Sequence, residues 1–266
     1  MAGIGTALYT GVSGLRAFST AISVVSDNVA NAGTTAFKAN EIRFADLVGG
    51  YYSTTSSFFD REGSGAVPMA VLTDWSQGPL IPTSKWSDIA INGEGFFQVQ
   101  DSNGNIFYTR DGSFYLDLEG NMVNYLGYQL LGLGSGENPT PIKLDTETYS
   151  NFVIQSNGEI YGVDAEGNMS DTRLATIGLV NFRDPNGLIR VGNNLFREGA
   201  NAGKQGPFQP GQNGVGYLMN YTIEGSNVDL AEELVNLIVY QANYNANTKT
   251  VSTAADMLNA TVNIVR

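Results

Sequence analysis

The sequence predicts an α+β protein, with a long helix at each end of the chain, the two paired as a coiled coil, and an all-β domain of short antiparallel strands between them. Two observations carry this prediction. In both terminal segments, apolar residues recur at alternating three- and four-residue intervals, which keeps one stripe of side chains facing a neighbouring helix. Between these segments, β-rich runs are separated by Asn-Gly, Asp-Gly and Glu-Gly pairs, which supply the positive φ of hairpin turns.

The first helix is predicted from about Thr6 to Asn31. It is expected to end in the turn-rich run 31–35, where Gly33 suits the left-handed residue that commonly follows a helix. Gly11 fills the one gap in its apolar stripe. The stripe consists of Ile4, Leu8, Leu15, Phe18, Ile22, Val25 and Val29.

Residues 37–87 are predicted to form an extended connector with one or two strands, such as Val67 to Leu72. The run 49–57 is rich in Gly, Ser, Thr and Tyr, and prolines follow at positions 68, 79 and 82. Trp75 and Trp86 flank these prolines. The sequence leaves open whether the two tryptophans belong to a core or to a subunit interface.

The all-β domain is predicted over residues 88–225. Phe96, Phe97, Tyr108 and Phe114 occur in strand-like alternating runs and are expected in its core. Its hairpin turns are expected at the dipeptides 103–104, 111–112, 119–120, 157–158 and 166–167.

The second helix is predicted from Asn227 to Arg266. Asn227 is the expected N-cap, and Asp229, Glu232 and Glu233 fall in the first turns, where the helix dipole favours negative charge. Its stripe consists of Leu230, Leu234, Leu237, Gln241, Tyr244, Thr248, Val251, Ala255, Leu258, Val262 and Val265. Residues 226–266 and 1–36 are together predicted to form one discontinuous terminal-helix domain.

The second helix carries more apolar surface than one seam requires. Further apolar residues occupy its other faces, and few charges follow Glu233. An ordinary two-helix hairpin packed on the β domain is one explanation, and packing against several neighbouring subunits is the explanation that the pattern favours. The predicted assembly interface comprises Leu8, Leu15, Phe18, Ile22, Val25, Val29, Leu230, Leu234, Leu237, Ile238, Tyr244, Val251, Leu258 and Val262.

The composition narrows the function classes. The chain of 266 residues has a formal net charge of −12 and contains neither cysteine nor histidine. An acidic balance argues against a nucleic-acid surface, which needs clustered Lys and Arg. The absence of His and Cys removes disulfides, the usual catalytic triads and most zinc sites, so the sequence predicts a protein that is not an enzyme.

Competing chemical motifs are weak. The run 101–105 resembles a calcium loop, but its glycine is misplaced and no bidentate Glu follows, so a hairpin turn is expected. The run 132–136 lacks the last glycine and the strand-to-helix setting of a dinucleotide fingerprint. Adjacent Glu232 and Glu233 point to different helix faces. No residue is therefore predicted to be catalytic, to bind a cofactor or to ligate a metal.

The N-terminal segment lacks the features of a cleaved signal peptide. Before Lys38 its charged side chains are Arg16 and Asp27, and Ser, Thr and Gly interrupt its apolar residues. No run approaches the roughly 18 to 20 apolar residues of a membrane span. We expect no membrane insertion and either a cytoplasmic location or export by a route that leaves the signal uncleaved.

Four motifs lie near both ends and in the middle of the chain. They cover 26–38, 88–97, 108–114 and 225–238, and the first reads Ser-Asp-Asn-Val-Ala-Asn-Ala-Gly-Thr-Thr-Ala-Phe-Lys. These motifs resemble the signatures of bacterial flagellar hook and basal-body rod proteins. The matching positions on which we rely are Asn28, Asn31, Thr35, Phe37, Lys38, Gly93, Gly95, Phe96, Phe97, Tyr108, Arg110, Gly112, Phe114, Asn227 and Val228.

The chain departs from the family pattern at three places. Asp27 stands where Asn is common, Ala36 stands where Gly usually precedes Phe37, and the run 241–244 has lost a basic residue. These departures leave the resemblance intact, because it depends on several long motifs in the same order along the chain.

The resemblance implies a structural subunit of the flagellum. Such proteins are exported unfolded through the type III export apparatus without signal cleavage and polymerise, with the help of an assembly cap, into a helical tube. The paired terminal helices form the inner layer of that tube and the β domain forms the outer layer. The implied partners are further copies of the chain and other axial proteins at the tube ends, and the implied location is the hook or basal body.

Within this family the sequence favours the hook, the universal joint that transmits motor torque. The runs 101–108 and 262–266 resemble those of hook proteins. Many hook subunits carry an extra outer domain, however, and residues 132–152 leave no room for one. A distal or proximal rod protein, part of a rigid drive shaft, is therefore the alternative. A secreted β-rich adhesin is the alternative from another class and would leave the paired helices unexplained.

Overall fold

The computed structural model describes residues 2–48, 63–134, 139–146 and 148–264. The chain divides into two compact units. The helical unit comprises Met1–Ala32, Ala39–Asp74 and Val228–Arg266, and the β unit comprises Gly33–Lys38 and Trp75–Asn227. The chain thus enters the β unit for one short segment, returns to the helical unit, and then enters the β unit again.

The terminal helices pair within the helical unit. Its described elements are α1 (Ala2–Ala30), β1 (Asn40–Val48), β2 (Gly63–Thr73) and α2 (Leu230–Ile264). The predicted pairing is confirmed, because α1 and α2 pack against each other. They run antiparallel: Gly11 lies against Val251, whereas Asn28, near the other end of α1, bonds to Glu233 near the start of α2.

Glycine permits a close approach of the two helices. A Cβ atom on Gly11 would lie 2.6 Å from Val251 Cγ2, and one on Gly14 would lie 2.7 Å from Asn247 Oδ1. Both distances are shorter than a van der Waals contact, so a larger residue at either position requires the facing side chain of α2 to move.

The α1-facing side of α2 differs from the apolar stripe that the spacing predicts. Leu237, Val251, Ala255 and Leu258 of that stripe are half-buried. Its exposed members are Leu230, Leu234, Gln241, Tyr244, Thr248 and Val262, and Val265 lies outside the described residues. The seam instead includes polar residues such as Glu233 and Asn247. Apolar residues on all faces of α2 fit more than one register, so the spacing alone does not select the register that the structure shows.

The region predicted as an extended connector contains regular structure. β1 and β2 pair antiparallel, from Asn40 opposite Thr73 to Val48 opposite Gly63. The rings of Phe18 on α1, Phe44 on β1 and Tyr240 on α2 form a cluster with centroid separations of 5.7, 6.2 and 6.3 Å. A two-stranded sheet is marginal alone, so its packing on the helices explains why local pattern underestimates it. The run 49–57 lies outside the described residues.

The β unit consists of short strands joined by turns. A 3₁₀ turn, Pro185–Gly187, also belongs to this unit. The strands in the described residues are β3 (Leu80–Pro82), β4 (Ile89–Asn92), β5 (Phe96–Gln100), β6 (Ile106–Thr109), β7 (Tyr115–Leu116), β8 (Met122–Val123), β9 (Gln129–Leu133), β10 (Pro139–Pro141), β11 (Asn151–Ile154), β12 (Glu159–Val163), β13 (Ala175–Thr176), β14 (Leu179–Phe182), β15 (Ile189–Gly192), β16 (Leu195–Arg197), β17 (Lys204–Phe208), β18 (Tyr217–Asn220) and β19 (Thr222–Glu224).

Every strand pairing in the described part of the β unit is antiparallel, which confirms the predicted class. The largest sheet has the order β15-β16-β6-β5-β9-β8-β7, with β10 paired to β9 and with β14 paired to β5 and β17. Smaller sheets have the orders β11-β12-β13, β18-β4 and β19-β3. The last of these brings Glu224 opposite Leu80.

Two apolar clusters form the core of the β unit. The larger one includes Phe97 and Phe114, and the smaller one includes Phe96 and Tyr108, so the predicted aromatic core is confirmed. Both tryptophans pack against these clusters. The Trp86 ring lies 5.2 Å from that of Phe152, and Trp75 lies 5.0 Å from Phe196 and 5.4 Å from Phe96.

The hairpin turns repeat one local device. In 101–105 the Asp101 carboxylate accepts hydrogen bonds from the N–H groups of Asn103 and Asn105, and Gly104 takes a φ of +87°. The same bonds recur in 117–121, 124–128 and 164–168, with Asn124 in place of Asp in the second of these turns. The expected hairpin at 101–105, weighed against a calcium loop, is therefore what the structure shows.

The pKa values of three turn aspartates lie below the ordinary value. For Asp101 and Asp117 the main cause is the hydrogen bond from the side chain of the Asn at the fifth turn position, and for Asp164 it is the backbone N–H of Asn168. Each of these donors stabilises the ionised carboxylate.

Three local expectations are wrong. Gly112 does not adopt positive φ. A Cβ atom there would lie 1.6 Å from the carbonyl oxygen of Ile89, so close approach is what requires glycine. Gly33 also lacks positive φ, and Ala36 instead takes a φ of +54°. The N-cap of α2 is Asp229, whose carboxylate accepts from the N–H of Ala231, rather than Asn227.

Substitution of Gly112 by Ala is expected to lower the free energy of unfolding of the β unit by about 3 kcal/mol or more, since the added methyl group meets a backbone atom that cannot move aside cheaply. Gly33→Ala is the matched control, with open space around its Cβ position, and should change stability by less than about 1 kcal/mol. Urea unfolding followed by tryptophan fluorescence reports on this unit. Equal effects of both substitutions would contradict the packing argument.

The three turn aspartates are expected to make the β unit acid-labile. Because their folded pKa values are lowered, the stability that they contribute is present above the unfolded pKa, near 4, and is lost as the pH falls through the folded pKa. Replacing all three by Asn, the residue that serves naturally at position 124, keeps the turn acceptor and removes the titration. Unfolding midpoints between about pH 2 and pH 5 should then depend less steeply on pH. An unchanged slope would refute this assignment.

Candidate functional site

The helix α2 exposes a broad apolar surface. Leu234, Val235 and Ile238 are exposed, Ile238 by 66%. Other exposed apolar side chains on the same helix are Leu230, Val239, Tyr244, Met257 and Val262. Exposed apolar surface on this scale is typical of a site of protein association, because isolated domains bury most of their large aliphatic residues. We call this set of side chains the α2 apolar surface.

The residues predicted as an assembly interface fall into two groups. On α1, Val25 is buried and the half-buried residues are Leu8, Leu15, Phe18, Ile22 and Val29. On α2, Leu237, Val251 and Leu258 are half-buried, and the remaining members belong to the α2 apolar surface. The first group and three members of the second thus contribute to the folded subunit itself. Sequence spacing overlooked Ala17 and Ala21, fully buried residues of α1 whose small side chains carry a weak hydrophobic signal.

A shallow groove of about 510 Å³ lies beside the helix pair. Its lining is mostly apolar or small and comprises Ala7, Ala246, Lys249, Thr250, Thr253, Ala254 and Met257. The groove contains a single charged residue, Lys249, so it suits an apolar side chain of another helix better than a polar ligand.

Asn28 joins three elements of the helical unit. Its side chain is fully buried. The amide nitrogen donates to the Asn40 carbonyl oxygen at 2.8 Å and to Glu233 Oε1 at 2.6 Å, and the amide oxygen accepts from the Asn40 N–H at 2.8 Å. An amide is the side chain that both donates and accepts in this way, which is the physical reason for Asn at this motif position.

Asp27, which stands where the family pattern commonly has Asn, contributes to the end of α1. Asp27 is exposed and accepts from the Asn31 side chain, both at its carboxylate (3.1 Å) and at its backbone carbonyl (2.9 Å). Asp in place of the common Asn therefore still closes the last turn of α1.

The β unit holds the short segment 35–38 along its whole length. The Asn194 side chain donates to the Thr35 carbonyl at 2.7 Å, the Ala36 N–H donates to the Glu224 carbonyl at 2.8 Å, and the Asn227 N–H donates to the Phe37 carbonyl at 3.3 Å. Ala36, Phe37 and Lys38 are buried. This segment leaves a turn at Ala36, which takes a φ of +54°, and its last three residues are packed inside the β unit.

Arg190 covers the same segment. Its guanidinium lies 5.0 Å from the centre of the Phe37 ring and 5.7 Å from that of Phe196, and it donates to the Lys38 carbonyl at 2.7 Å. Planar guanidinium groups suit this combination of aromatic stacking and hydrogen bonding.

A completely buried ion pair ends the segment. Lys38 Nζ lies 2.6 Å from Glu224 Oε1, and both side chains have no solvent exposure. Lys38 also donates to the Ser76 carbonyl at 2.6 Å, and Glu224 Oε1 accepts from the Gly78 N–H at 3.0 Å. These bonds replace the hydration that each charge loses on burial.

Arg110 supplies a second cation beside the pair. Its Nη1 lies 3.6 Å from Glu224 Oε2 and donates to the Gly93 carbonyl at 2.8 Å, and its guanidinium lies 5.2 Å from the centre of the Phe96 ring. Burial lowers the pKa of Arg110, against the opposing effects of Glu224 and Glu94. Lys38, Glu224 and Arg110 together place two cations around one anion, and we call them the buried charge cluster.

The remaining motif residues shape this part of the β unit. Gly93 and Gly95 take φ values of +113° and +127°, which strongly favour glycine. Asp111 is bonded by Ser113 and Thr35, although burial raises its pKa overall. Val228 is half-buried at the start of the last segment of the helical unit.

Sequence reasoning missed Glu224, Arg190, Ser76 and Asn194 as partners of the motif. A signal for Glu224 exists, since it lies two residues after buried Thr222 on β19 and therefore on the inward face of the strand. A charged residue at an inward position indicates a buried partner, but strand alternation does not identify which cation it meets.

The described residues contain no group of three or more acidic, His or Cys side chains placed to hold a metal ion. None of the described helices has the length and apolar character of a membrane span.

Substitution of Glu224 is expected to lower the unfolding free energy of the β unit more than substitution of Lys38. Glu224→Gln leaves two buried cations without an anion and should cost about 3–5 kcal/mol of unfolding free energy. Lys38→Met leaves the Arg110–Glu224 pair and should cost less, about 1.5–3 kcal/mol. Urea unfolding of the β unit measures both. A larger loss for Lys38→Met would show that Arg110 does not compensate Glu224.

Three family profiles match the chain, in the order of its motifs. "Flagella basal body rod protein" matches residues 8–38, "Flagellar hook protein FlgE/F/G D1 domain" matches 90–162, and "Flagellar basal body rod FlgEFG protein C-terminal" matches 219–264. The first match ends at Lys38 and the third includes Glu224, so the ion pair joins the regions that two separate profiles describe.

Whole-chain relatives agree with the profiles. The flagellar basal-body rod protein FlgG of Bacillus subtilis is 36% identical over 97% of this chain and 98% of its own length. FlgG of Borreliella burgdorferi is 32% identical, over 98% of each chain. The flagellar hook protein FlgE of Salmonella typhimurium is 24% identical, in an alignment of 405 positions that covers 95% of this chain and 98% of the hook protein.

The similarity to FlgG extends over nearly the whole of both proteins, and the profiles account for both terminal segments and the centre of the chain. The resemblance read from the sequence motifs is thereby confirmed. The chain belongs to the family of bacterial flagellar hook and basal-body rod proteins.

Proposed function

We propose that the chain is a subunit of the flagellar basal-body rod, of the distal type. The sequence alone favours the hook, and this preference is corrected by the comparisons, which fit the rod alternative better. The rod protein of B. subtilis matches at 36% identity with both chains almost fully aligned, whereas the hook protein of S. typhimurium matches at 24% and carries sequence with no counterpart here. The direct passage from β9 through β10 to β11 agrees with the absence of an inserted outer domain.

The α2 apolar surface is the observation that carries the proposal of a polymer. A lone subunit leaves roughly half or more of the surface of Val235, Ile238 and Val239 in water, and burial of that surface against a neighbour stabilises the contact by about 1 kcal/mol for each residue. The summed free energy of several such contacts per subunit favours a stable association over a short-lived encounter. In this proposal the terminal helices of adjacent copies pack on one another in the inner layer of a tube, and the β units form its outer layer.

The proposed role is mechanical and not enzymatic. A rod transmits motor torque while it stays straight, so its subunits must hold their shape under load. The β unit suits that task because its sheets share two packed cores and its turns repeat a hydrogen-bonded device. Neither a substrate nor a cofactor is required.

The proposed partners are further copies of the chain and the axial proteins at the two ends of the rod. We also propose that the chain is exported unfolded through the type III export apparatus without signal cleavage and is added to the tube under an assembly cap. The low charge of α1 supports this, because a segment with little intrinsic stability gains its order when it is buried in the growing tube.

Electron microscopy of the purified, concentrated protein tests the polymer directly, and isolation of hook–basal bodies tests the location. Straight tubes and a position in the rod support the proposal. Curved or supercoiled tubes would assign the chain to the hook instead, and its absence from hook–basal bodies would overturn the flagellar role.

Substitution of Ile238 by Asp is expected to reduce incorporation into basal bodies at least about tenfold, because it places a charge in the proposed interface. The folded monomer should keep its stability within about 0.5 kcal/mol, since Ile238 is exposed in the subunit. Leu118→Asp, at a fully exposed position of the β unit, is the control for adding the same charge. Normal incorporation of Ile238→Asp would exclude this helix face from the assembly contact.

A further inference from the structure

Four stretches of chain connect the β unit to the rest of the protein, and three of them meet at the buried charge cluster; the fourth joins Ala32 to Gly33. The three end or begin at the unit boundaries after Lys38, before Trp75 and after Asn227. Within the β unit, residues 37–38, 76–78 and 224–227 are bonded to one another. Every one of these covalent connections is therefore held a few residues from the point where it leaves the unit.

The bonds at this place form a closed set. Lys38 Nζ contacts both Glu224 and the Ser76 carbonyl, and Glu224 in turn accepts from the Gly78 N–H. The Asn227 side chain donates to the same Ser76 carbonyl at 3.2 Å and to the Ser76 hydroxyl at 3.0 Å, and its backbone N–H donates to Phe37. Each stretch is thus bonded to both of the others.

We propose that this set of bonds is a mechanical clasp: it ties the three connections together so that force arriving through any one of them is shared by all three and by the core of the β unit. The clasp consists of the contacts among residues 35–38, 76–78 and 224–227, closed by the Lys38–Glu224 ion pair. The mechanical part of this proposal rests on the proposed function as a rod subunit.

A buried ion pair suits a clasp better than an apolar contact. Apolar side chains slide past one another at little cost, whereas separating Lys38 from Glu224 inside the protein leaves two charges without hydration. The free energy of opening therefore rises steeply as the two charges separate, and the pair fixes a single register for the segment 35–38. Arg190 reinforces the same segment from the other side through its bond to the Lys38 carbonyl.

The clasp is separate from the core that it is attached to. Its bonds lie outside the strand ladders of β5 and β6, so opening it need not unfold those strands. Local opening without global unfolding is measurable, because it exposes a specific set of amides.

Hydrogen exchange on the purified full-length monomer tests the clasp. In Lys38→Met, the amides of Ala36, Gly78 and Asn227 should be accelerated relative to the wild-type protein at least about tenfold more than the amides of β5, which respond only to the loss of global stability. Arg190→Met should also accelerate hydrogen exchange at the amides of Ala36 and Asn227, although it leaves the ion pair in place. Lys85→Met, which removes an exposed lysine of the same unit, is the matched control and should change none of these rates.

Two results would overturn the clasp. One is exchange in Lys38→Met that equals that of the Lys85→Met control. The other is equal acceleration in β5, which would make the pair part of general fold stability. Both are measured on the monomer, so they are independent of whether the chain forms a rod.

Motility under load tests the mechanical part. Cells whose basal bodies contain Lys38→Met in wild-type amounts should swim normally in dilute medium and lose speed at least about twofold more than Lys85→Met cells as viscosity rises. Equal loss of speed would refute force sharing. Failure of the proposed function would show itself differently, as absence of the wild-type chain from basal bodies.

Discussion

An ammonium group and a carboxylate withdrawn from water, 2.6 Å apart, determine how the N-terminal motif is placed in the β unit. Burying both charges is costly, and their attraction together with the bonds to Ser76 and Gly78 roughly offsets that cost. The pair therefore contributes specificity more than stability. A segment displaced by one residue would leave Glu224 with Arg110 at 3.6 Å as its nearest cation and Lys38 without its anion.

The two units satisfy opposite physical requirements. In the β unit, large aromatic residues are buried and most polar groups find partners, which gives a stable body. In the helical unit, α2 leaves a broad apolar surface in water and lines a groove with small residues. This division suits a protein that must assemble. The β unit supplies the stability of the folded subunit, while the apolar surface of α2 stays exposed for association.

Much of the fold follows from local chemistry. The 4-3 spacing predicts both helices, and Asn-Gly or Glu-Gly pairs predict the turns where Gly104, Gly120, Gly158 and Gly167 take positive φ. Gly112 shows the limit of this reasoning, because its glycine serves a close approach to Ile89 that a dipeptide pattern cannot reveal. The register of α2 shows another limit, since apolar residues on every face fit several seams equally well.

The sequence by itself determined the α+β class, the two terminal helices, the β core aromatics and the motif residues Asn28 and Lys38, because periodicity, turn chemistry and motif identity are local properties. Only the tertiary structure decided what those motif residues bind. Lys38 meets Glu224 across 186 positions of sequence, and Asn28 meets Glu233 across 205. Contacts at such separations depend on how strands and helices close on one another, and no local pattern records which distant partner a buried polar group will find.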